Sequence, residues 1–347
     1  MKEFESRPII SYAIIQGIIM ADDTDHSKYS PYPLSKIQAD VPLPGDLYIF
    51  LNGHYVKYKE LGDSFPGSKF DLFLAKGVNQ VYFMADEFKH IQSELNNLVE
   101  ENFEEMVVKV GEENRDLLVK KEKIREALFE VFGEVELNSA NVEMLQNMGK
   151  GYIEELSKKT NIAAVIAKLY QLSEILADHS INVGNLSMFF AMLVGNGDKG
   201  FLEEIYLGSL LHDYGKLKIP SNILDNPNSP TFSKAIQDHP TKGASMVKKI
   251  KGVGPNVICI IEQHHEQFNG RGYPKSLIAG DIHPMARIVS VANIYDNVLT
   301  ENKIKKEAEA HKIAIKFVEY DRGKHFDPQL MPRIIDGLKL AFGNFYR

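Results

Sequence analysis

The stretch "SLLHDYGKLKIP", residues 209–220, places a histidine and an aspartate directly after an apolar run. The preceding residues "IYLGSLL" are expected to carry His212 and Asp213 into the interior. A buried carboxylate without a partner is costly, and a metal ion removes that cost. Because neutral imidazole is the commonest protein ligand for transition metals, the pair predicts a site for iron, manganese, zinc or cobalt rather than calcium or magnesium.

A second stretch, "QHHEQFNGRGYP" at residues 263–274, joins two histidines to a dense run of turn-forming residues. Gly270 and Gly272 permit positive φ, while Pro274 fixes its own φ and keeps Tyr273 extended. The pattern predicts a stiff loop that forms one wall of a pocket above the metal site. Taken alone, the loop is equally consistent with a plain surface turn.

Other histidines and one lysine have two interpretations each. His179 and His239, taken alone, are typical of helix caps, and the pair His264–His265 is typical of surface residues. Lys216 lies three residues after Asp213, so a continuing helix would place both on a similar face. There it could hold an anionic substrate or a metal-bound water, whereas the alternative is a solvated surface lysine.

Composition limits the class of protein. The chain has 347 residues, of which 44% are hydrophobic, and a net charge of −7, which argues against a general binder of nucleic-acid polymers or membrane surfaces. Cys259 is the only cysteine, which fits a reducing compartment. The apolar segment 9–20 is shorter than the ~20 residues that span a bilayer, and it predicts a buried strand or short helix. We therefore expect a cytoplasmic protein.

Three segments differ in texture, and together they predict a mainly α protein. Residues 1–86 form a small α+β, mostly β, domain of unknown role, with a hairpin turning at the "NG" within 41–62 and a strand over 78–86. The polar stretch 21–30 is expected to be a loop. Residues 87–145 form a helical linker that begins with an amphipathic helix, which contacts a dimer partner or packs on its own chain. Residues 146–347 form an all-helical domain, with helices expected near 162–177, 178–195, 201–213, 231–250, 254–266, 284–299 and 327–342.

Ordered motifs in the helical domain resemble the HD-GYP family of bacterial cyclic di-GMP phosphodiesterases. The likeness covers residues 165–345 and leaves 1–140 without a match. The matching motifs are "HDYGK" (212–216) with "KIP" after it, "DHP" (238–240), "HHE" (264–266), "GRGYP" (270–274), "ARIVSVANIYDNV" (286–298) and "HFDPQL" (325–330).

The resemblance implies an all-helical domain that hydrolyses cyclic di-GMP by a metal-activated water, with two divalent ions, most often iron, and manganese or zinc as alternatives. Partners implied with it are cyclic di-GMP and either a signalling protein or a second copy of the chain. The implied metal ligands are His179, His212, Asp213, His239, His264 and His265, with Asn293 at a seventh position. The implied catalytic residues are Asp213 and Lys216, and the implied substrate-binding residues are Lys216, Arg271, Gly272, Tyr273, Pro274 and Lys305.

Three positions depart from the family pattern. Asn293 stands where the family has an aspartate ligand, and a neutral amide binds a cation more weakly than a carboxylate does. Asp296, one turn later, could substitute, although its family counterpart is usually structural. Ile175 stands where a glutamate would add a third metal, so none is expected. Asn302 stands where the family has an arginine, and Lys305 keeps a positive charge nearby.

These departures leave two alternatives to an active cyclic di-GMP phosphodiesterase. One is a degenerate binding and signalling module with weak or no turnover, favoured by Asn293 and by "ENKI" (301–304) in place of the family's "DRPY". The other is a phosphohydrolase for a different nucleotide, against which the "GYP" loop argues.

Overall fold

The first part of the chain folds into a five-stranded antiparallel sheet. In the computed structural model, the described residues are 19–342, without 52, 68, 71–72, 74–77, 135, 171, 173–175, 221–222, 224–225, 227 and 303–306. The strand order is β1–β4–β3–β5–β2. The strands are β1 (Ile19–Asp23), β2 (Tyr29–Pro33), β3 (Leu47–Leu51), β4 (His54–Lys59) and β5 (Gln80–Met84).

The central strands follow the sequence prediction, and the edge strands do not. The hairpin β3–β4 turns through Gly53, whose φ of +88° suits glycine, and β5 lies where a strand was predicted. The stretch 21–30, predicted as a loop, instead contains the end of β1, a short 3-10 helix and the start of β2. That prediction was wrong because edge strands tolerate polar residues that would not suit the middle of a sheet. Most of the apolar segment 9–20 lies outside the described residues, as do Ile175 and Lys305.

Two prolines define the outer edge of β2. Leu34 N–H donates to Asn79 O and Ala85 N–H donates to Lys28 O. The backbone N–H and C=O groups of the even-numbered residues of β2 therefore point toward β5. The backbone nitrogens of Pro31 and Pro33 therefore point away from the sheet, where the strand has no neighbour that needs an N–H donor.

Eleven α-helices follow the sheet in the described part of the chain. Of the helices after residue 160, most lie close to the predicted spans, but α10 was missed, although its buried residues Ala310, Ala314, Ile315 and Val318 recur at helical spacing. The helices are α1 (Phe88–Val110), α2 (Arg115–Gly133), α3 (Ser139–Ser157), α4 (Ile162–Tyr170), α5 (Leu176–Leu193), α6 (Lys199–Leu211), α7 (Pro230–Val247), α8 (Pro255–Gln263), α9 (Pro284–Glu301), α10 (Glu307–Tyr320) and α11 (Met331–Phe342).

The helices share one hydrophobic core. Helix α5 packs against α6 and α9, α8 packs against α6 and α7, and α2 and α3 pack on α5 and α6 respectively. Leu128 of α2, Leu145 of α3 and Leu210 of α6 belong to the same buried cluster. The mainly α fold class is thus confirmed, whereas the boundaries at 86 and 145 stay a prediction.

A buried ion cluster connects α2 to α5. Lys121 is 1% exposed, and its Nζ lies 3.0 Å from Glu122 Oε1 and 3.6 Å from Asp178 Oδ1. Arg125 Nε lies 3.5 Å from the same oxygen of Asp178. Since Asp178 directly precedes His179, the cluster fixes the part of α5 that carries this histidine. Within the described residues, no helix combines the length and the apolarity needed to cross a bilayer.

Candidate metal centre

Six side chains from four segments converge at one place in the helical domain. All six were predicted as metal ligands from the sequence resemblance. His179 comes from α5, His212 and Asp213 follow the last turn of α6, His239 lies inside α7, and His264 and His265 follow α8. They form two groups that share Asp213, and within each group the ligand atoms lie within 4.8 Å of one another. The four-residue group contains Asp213, His239, His264 and His265, and the three-residue group contains His179, His212 and Asp213.

The two oxygens of Asp213 face different groups. Oδ1 lies 3.1 Å from His239 Nε2 and 3.7 Å from His264 Nε2. Oδ2 lies 3.4 Å from His212 Nε2 and 3.7 Å from His179 Nε2. One carboxylate therefore joins both groups and can bridge two cations.

Three of the histidines are held by the same local device. Each donates from Nδ1 to the carbonyl three residues earlier: His212 to Ser209 at 2.7 Å, His239 to Ile236 at 2.5 Å, and His264 to Ile261 at 2.9 Å. Helix ends leave such carbonyls free after α6 and α8. Inside α7 the free carbonyl has another cause: Pro240 has no N–H to donate to Ile236. The histidine–proline order in "DHP" thus has a structural reason.

Because Nδ1 carries the proton in these rings, Nε2 presents a lone pair to the centre. The Nε2 atoms of His239 and His264 lie 3.2 Å apart, and those of His179 and His212 lie 3.3 Å apart. Asp213 Oδ1 is buried and has no hydrogen bond to any residue that the structure describes. Facing lone pairs and a carboxylate repel one another unless a cation lies between them, so this donor set fits divalent transition metals.

Burial favours the neutral, metal-binding form of the imidazoles. Burial lowers the pKa of His212 to about 4, and burial together with neighbouring imidazoles holds the pKa values of His264 and His265 well below their usual range. Burial raises the pKa of Asp213, but His212, Lys216 and His239 outweigh it and hold this pKa well below its usual range. These three imidazoles thus offer neutral nitrogens, and Asp213 offers an ionised carboxylate, at neutral pH.

His179 is oriented by a carboxylate rather than a carbonyl. Its Nδ1 donates to Asp296 Oδ2 at 2.5 Å. Tyr170 and Asn182 also donate to Asp296, which is 1% exposed. Burial lowers the pKa of His179, but the charge and hydrogen bond of Asp296 outweigh it and raise the pKa above the usual value of 6.5. Asp296 therefore fixes the ring so that its Nε2 faces the centre.

Two glycines allow the segment after His212 to approach α7. A Cβ added at Gly215 would lie 2.0 Å from the carbonyl oxygen of His239, and Gly243, one turn later in α7, packs against the Gly215 backbone. The short 3-10 helix Tyr214–Lys218 therefore fits directly on α7, and Asp213 reaches His239. In this structure the "HDYGK" glycine serves close packing.

The "GYP" loop folds back onto the histidine pair. Gly270 has a φ of +77°, as predicted, whereas the φ of Gly272 is not in the positive region. A Cβ added at Gly272 would lie 2.3 Å from Gln267 N, so the glycine allows the loop backbone to pack closely on the segment after His265. The Tyr273–Pro274 bond is cis, and the Tyr273 ring stacks on His265 with centroids 4.7 Å apart. The loop thus forms a wall beside the four-residue group.

Sequence reasoning missed the residue that closes this loop. Glu266 is 2% exposed and accepts the N–H groups of Lys275 at 2.7 Å and Leu277 at 2.9 Å. The available signal was an acid directly after two adjacent histidines, since a carboxylate carried into the interior with them needs partners. Arg271, predicted to bind substrate, is exposed on the same loop.

The remaining predicted residues lie at the edge of the centre or in α9. Lys216 Nζ lies 2.6 Å from Asp213 Oδ2, and its side chain is 35% exposed. Asn293 is buried in α9, and its Oδ1 accepts a hydrogen bond from Asn297 at 3.1 Å. It precedes Asp296 by three residues and so shares its face of the helix.

Comparisons with known proteins agree with this architecture. Residues 162–330 match the family model of the HD domain. A solved structure, "Bd1817, a HDG"Y"P protein from Bdellovibrio bacteriovorus", is 27% identical with a TM-score of 0.60, over 90% of this chain and 99% of that one. The resemblance of this region to the HD-GYP family is therefore confirmed.

Curated relatives match part of the chain. "Cyclic di-GMP phosphodiesterase PA4108" of Pseudomonas aeruginosa is 30% identical over 51% of this chain and 44% of its own length. "Cyclic di-GMP phosphodiesterase response regulator RpfG" of Xanthomonas campestris is 32% identical over 38% of this chain and 36% of its own length. The chain thus spans less than half the length of these relatives.

Proposed function

We propose that the protein is a metal-dependent phosphodiesterase that hydrolyses cyclic di-GMP. The observation that carries the proposal is the pair of ligand groups joined through the two oxygens of Asp213. The relatives named as cyclic di-GMP phosphodiesterases support the choice of substrate. Two divalent ions, iron first and manganese or zinc as alternatives, suit the nitrogen-rich ligand set. When bound, such ions acidify a water molecule as the nucleophile and polarise a phosphoryl oxygen.

The chain itself supplies positioning and charge. The ammonium group of Lys216 lies at the partly exposed edge of the centre, where it offsets negative charge that develops on the phosphoryl oxygens. Tyr273 and the close turn at Gly272 form the wall that orients the substrate, and the exposed Arg271 on that loop is available to its phosphate or guanine groups. Asp296 holds the Nδ1 proton of His179 throughout.

A second candidate is a module that binds cyclic di-GMP without turning it over. Asn293 favours it, because the amide adds no negative charge beside the three-residue group. A site that lacks one charged ligand can still hold one metal and a nucleotide.

Turnover under anaerobic conditions distinguishes the two. Purified protein with Fe(II) or Mn(II) is incubated with cyclic di-GMP, and the linear dinucleotide and GMP are separated by chromatography. We expect product from the wild type, at least a hundredfold less from Asp213→Asn, and unchanged rates from Asp281→Asn, an exposed control. If the protein binds cyclic di-GMP but forms no product with either Fe(II) or Mn(II), the proposed phosphodiesterase function is wrong and the binding module is favoured. A large gain from Asn293→Asp would show that the wild-type site is impaired.

A further inference from the structure

We infer that the two ligand groups load metal in a fixed order: the four-residue group binds the first ion, and the three-residue group binds the second ion more weakly. The inference deepens the proposed function, on which it rests for the role of the cluster as a metal centre. It follows from differences between the two groups in ligand number, in hydrogen bonding and in nearby charge.

The four-residue group is ready for a cation. It provides three imidazoles and Asp213 Oδ1, which is the number of ligands that a tetrahedral site needs. Among the described residues Oδ1 has no hydrogen-bond partner, so an incoming cation does not have to displace one. The Nδ1 protons of His239 and His264 are held by backbone carbonyls, so neither ring has to change tautomer when an ion binds.

The three-residue group starts from a poorer position. It provides two imidazoles and Asp213 Oδ2, one ligand fewer. That oxygen already accepts a hydrogen bond from Lys216 Nζ at 2.6 Å. The ammonium group competes for the same lone pairs and repels a second cation, so binding there requires Lys216 to move.

Residues of α9 do not add a charged ligand to the three-residue group. Asp296 increases the basicity of His179 but contributes through that ring, because its own oxygens accept from Tyr170, His179 and Asn182. Asn293 lies one turn earlier, and its amide oxygen accepts from Asn297. A carboxylate at position 293 would add a charged ligand on this side, and the chain lacks it.

Metal titration of the metal-free protein tests the order without any nucleotide. Zn²⁺ is titrated in competition with a chromophoric chelator at pH 7.5, and the number of ions and both dissociation constants are fitted. We expect two phases whose constants differ at least tenfold. His179→Ala should remove only the weak phase, and His265→Ala should remove the tight phase. Equal phases in the wild type, or loss of the tight phase in His179→Ala, would overturn the inference.

Two further variants address the cause of the difference. Lys216→Met and Asn293→Asp should each tighten the weak phase at least fivefold and leave the tight phase unchanged, whereas Lys242→Met, an exposed lysine of α7, should change neither. No effect of Lys216→Met and Asn293→Asp on the weak phase would contradict the proposed cause.

Anomalous diffraction from crystals grown with one equivalent of Zn²⁺ gives an answer that depends on no variant. Density among His239, His264 and His265 supports the order, and density between His179 and His212 overturns it. The outcome is separable from the proposed function. If metal loads in the predicted order but cyclic di-GMP is not hydrolysed, the inference holds and the proposed enzymatic function is wrong. If cyclic di-GMP is hydrolysed but the two dissociation constants are equal, only the inference is wrong.

Discussion

The carboxylate of Asp296 accepts a hydrogen bond from Nδ1 of His179 at 2.5 Å, although the two residues are 117 positions apart in the chain. The contact spans α9 and α5 and sets the direction in which the imidazole presents Nε2. A carboxylate in this position raises the basicity of the ring and fixes its tautomer.

Asp296→Asn should therefore weaken metal binding by the three-residue group by about 10–100-fold, the usual effect of removing such a partner. The tight phase of a Zn²⁺ titration should stay unchanged, because it belongs to the other group. The control is Asp281→Asn, which changes an exposed carboxylate. Unchanged affinity in both phases would show that Asp296 does not support His179.

Lys121→Met should destabilise the fold by about 3 kcal/mol, because it leaves Asp178 buried with one cation fewer. Burial lowers the pKa of Lys121, but Glu122 and Asp178 outweigh it and raise this pKa, so the lysine is charged in the folded protein. Urea unfolding measures the change. Lys123→Met provides the matched control, since that lysine is exposed on the same helix. Equal stability of the two variants would mean that the buried cluster contributes nothing.

Gly215→Ala should lower both stability and metal binding. The added Cβ would lie 2.0 Å from His239 O, so the 3-10 helix must move away from α7 and take Asp213 with it. Overpacking of this kind costs about 1–3 kcal/mol. Thermal unfolding and Zn²⁺ titration measure the two effects. At Gly280 an added Cβ meets nothing within 4 Å, so Gly280→Ala should leave both quantities near wild type.

Acid should destabilise the protein in part through His311. This ring is buried against Phe342 and hydrogen-bonds Tyr295, and burial lowers its pKa to about 4. In the unfolded chain His311 has a pKa near 6.5, so between pH 6.5 and 4 the unfolded state binds a proton that the folded state does not bind. The free energy of unfolding therefore falls as the pH drops through this range. The total loss from this residue is about 3 kcal/mol.

His311→Gln keeps a polar partner for Tyr295 and removes the titration. Urea unfolding of metal-free wild type and variant at pH 7, 5.5 and 4.5 isolates the effect, because other buried histidines contribute equally to both proteins. The variant should lose less stability on acidification than the wild type does. Parallel pH curves would contradict the assignment.

The six residues of the candidate metal centre could be predicted from the sequence because they occur in short motifs that follow one another in a characteristic order. It could not assign each oxygen of Asp213 to a group, because that depends on how the 3-10 helix lies on α7. It also missed the pairing of Lys121 with Asp178, since nothing local marks a lysine as buried. The edge strands β1 and β2 were missed for a related reason: their polar residues and prolines suit an edge position, and a local pattern does not reveal which strand lies at the edge.

The outward-facing Pro31 and Pro33 limit how this molecule can associate. An extended segment of another molecule that docked alongside β2 would meet Pro31 and Pro33, which have no N–H, and Tyr29, whose N–H already donates to His26 O. Continuous sheets across two copies are therefore disfavoured at this edge, and self-association through this side of the sheet has to use side-chain contacts instead.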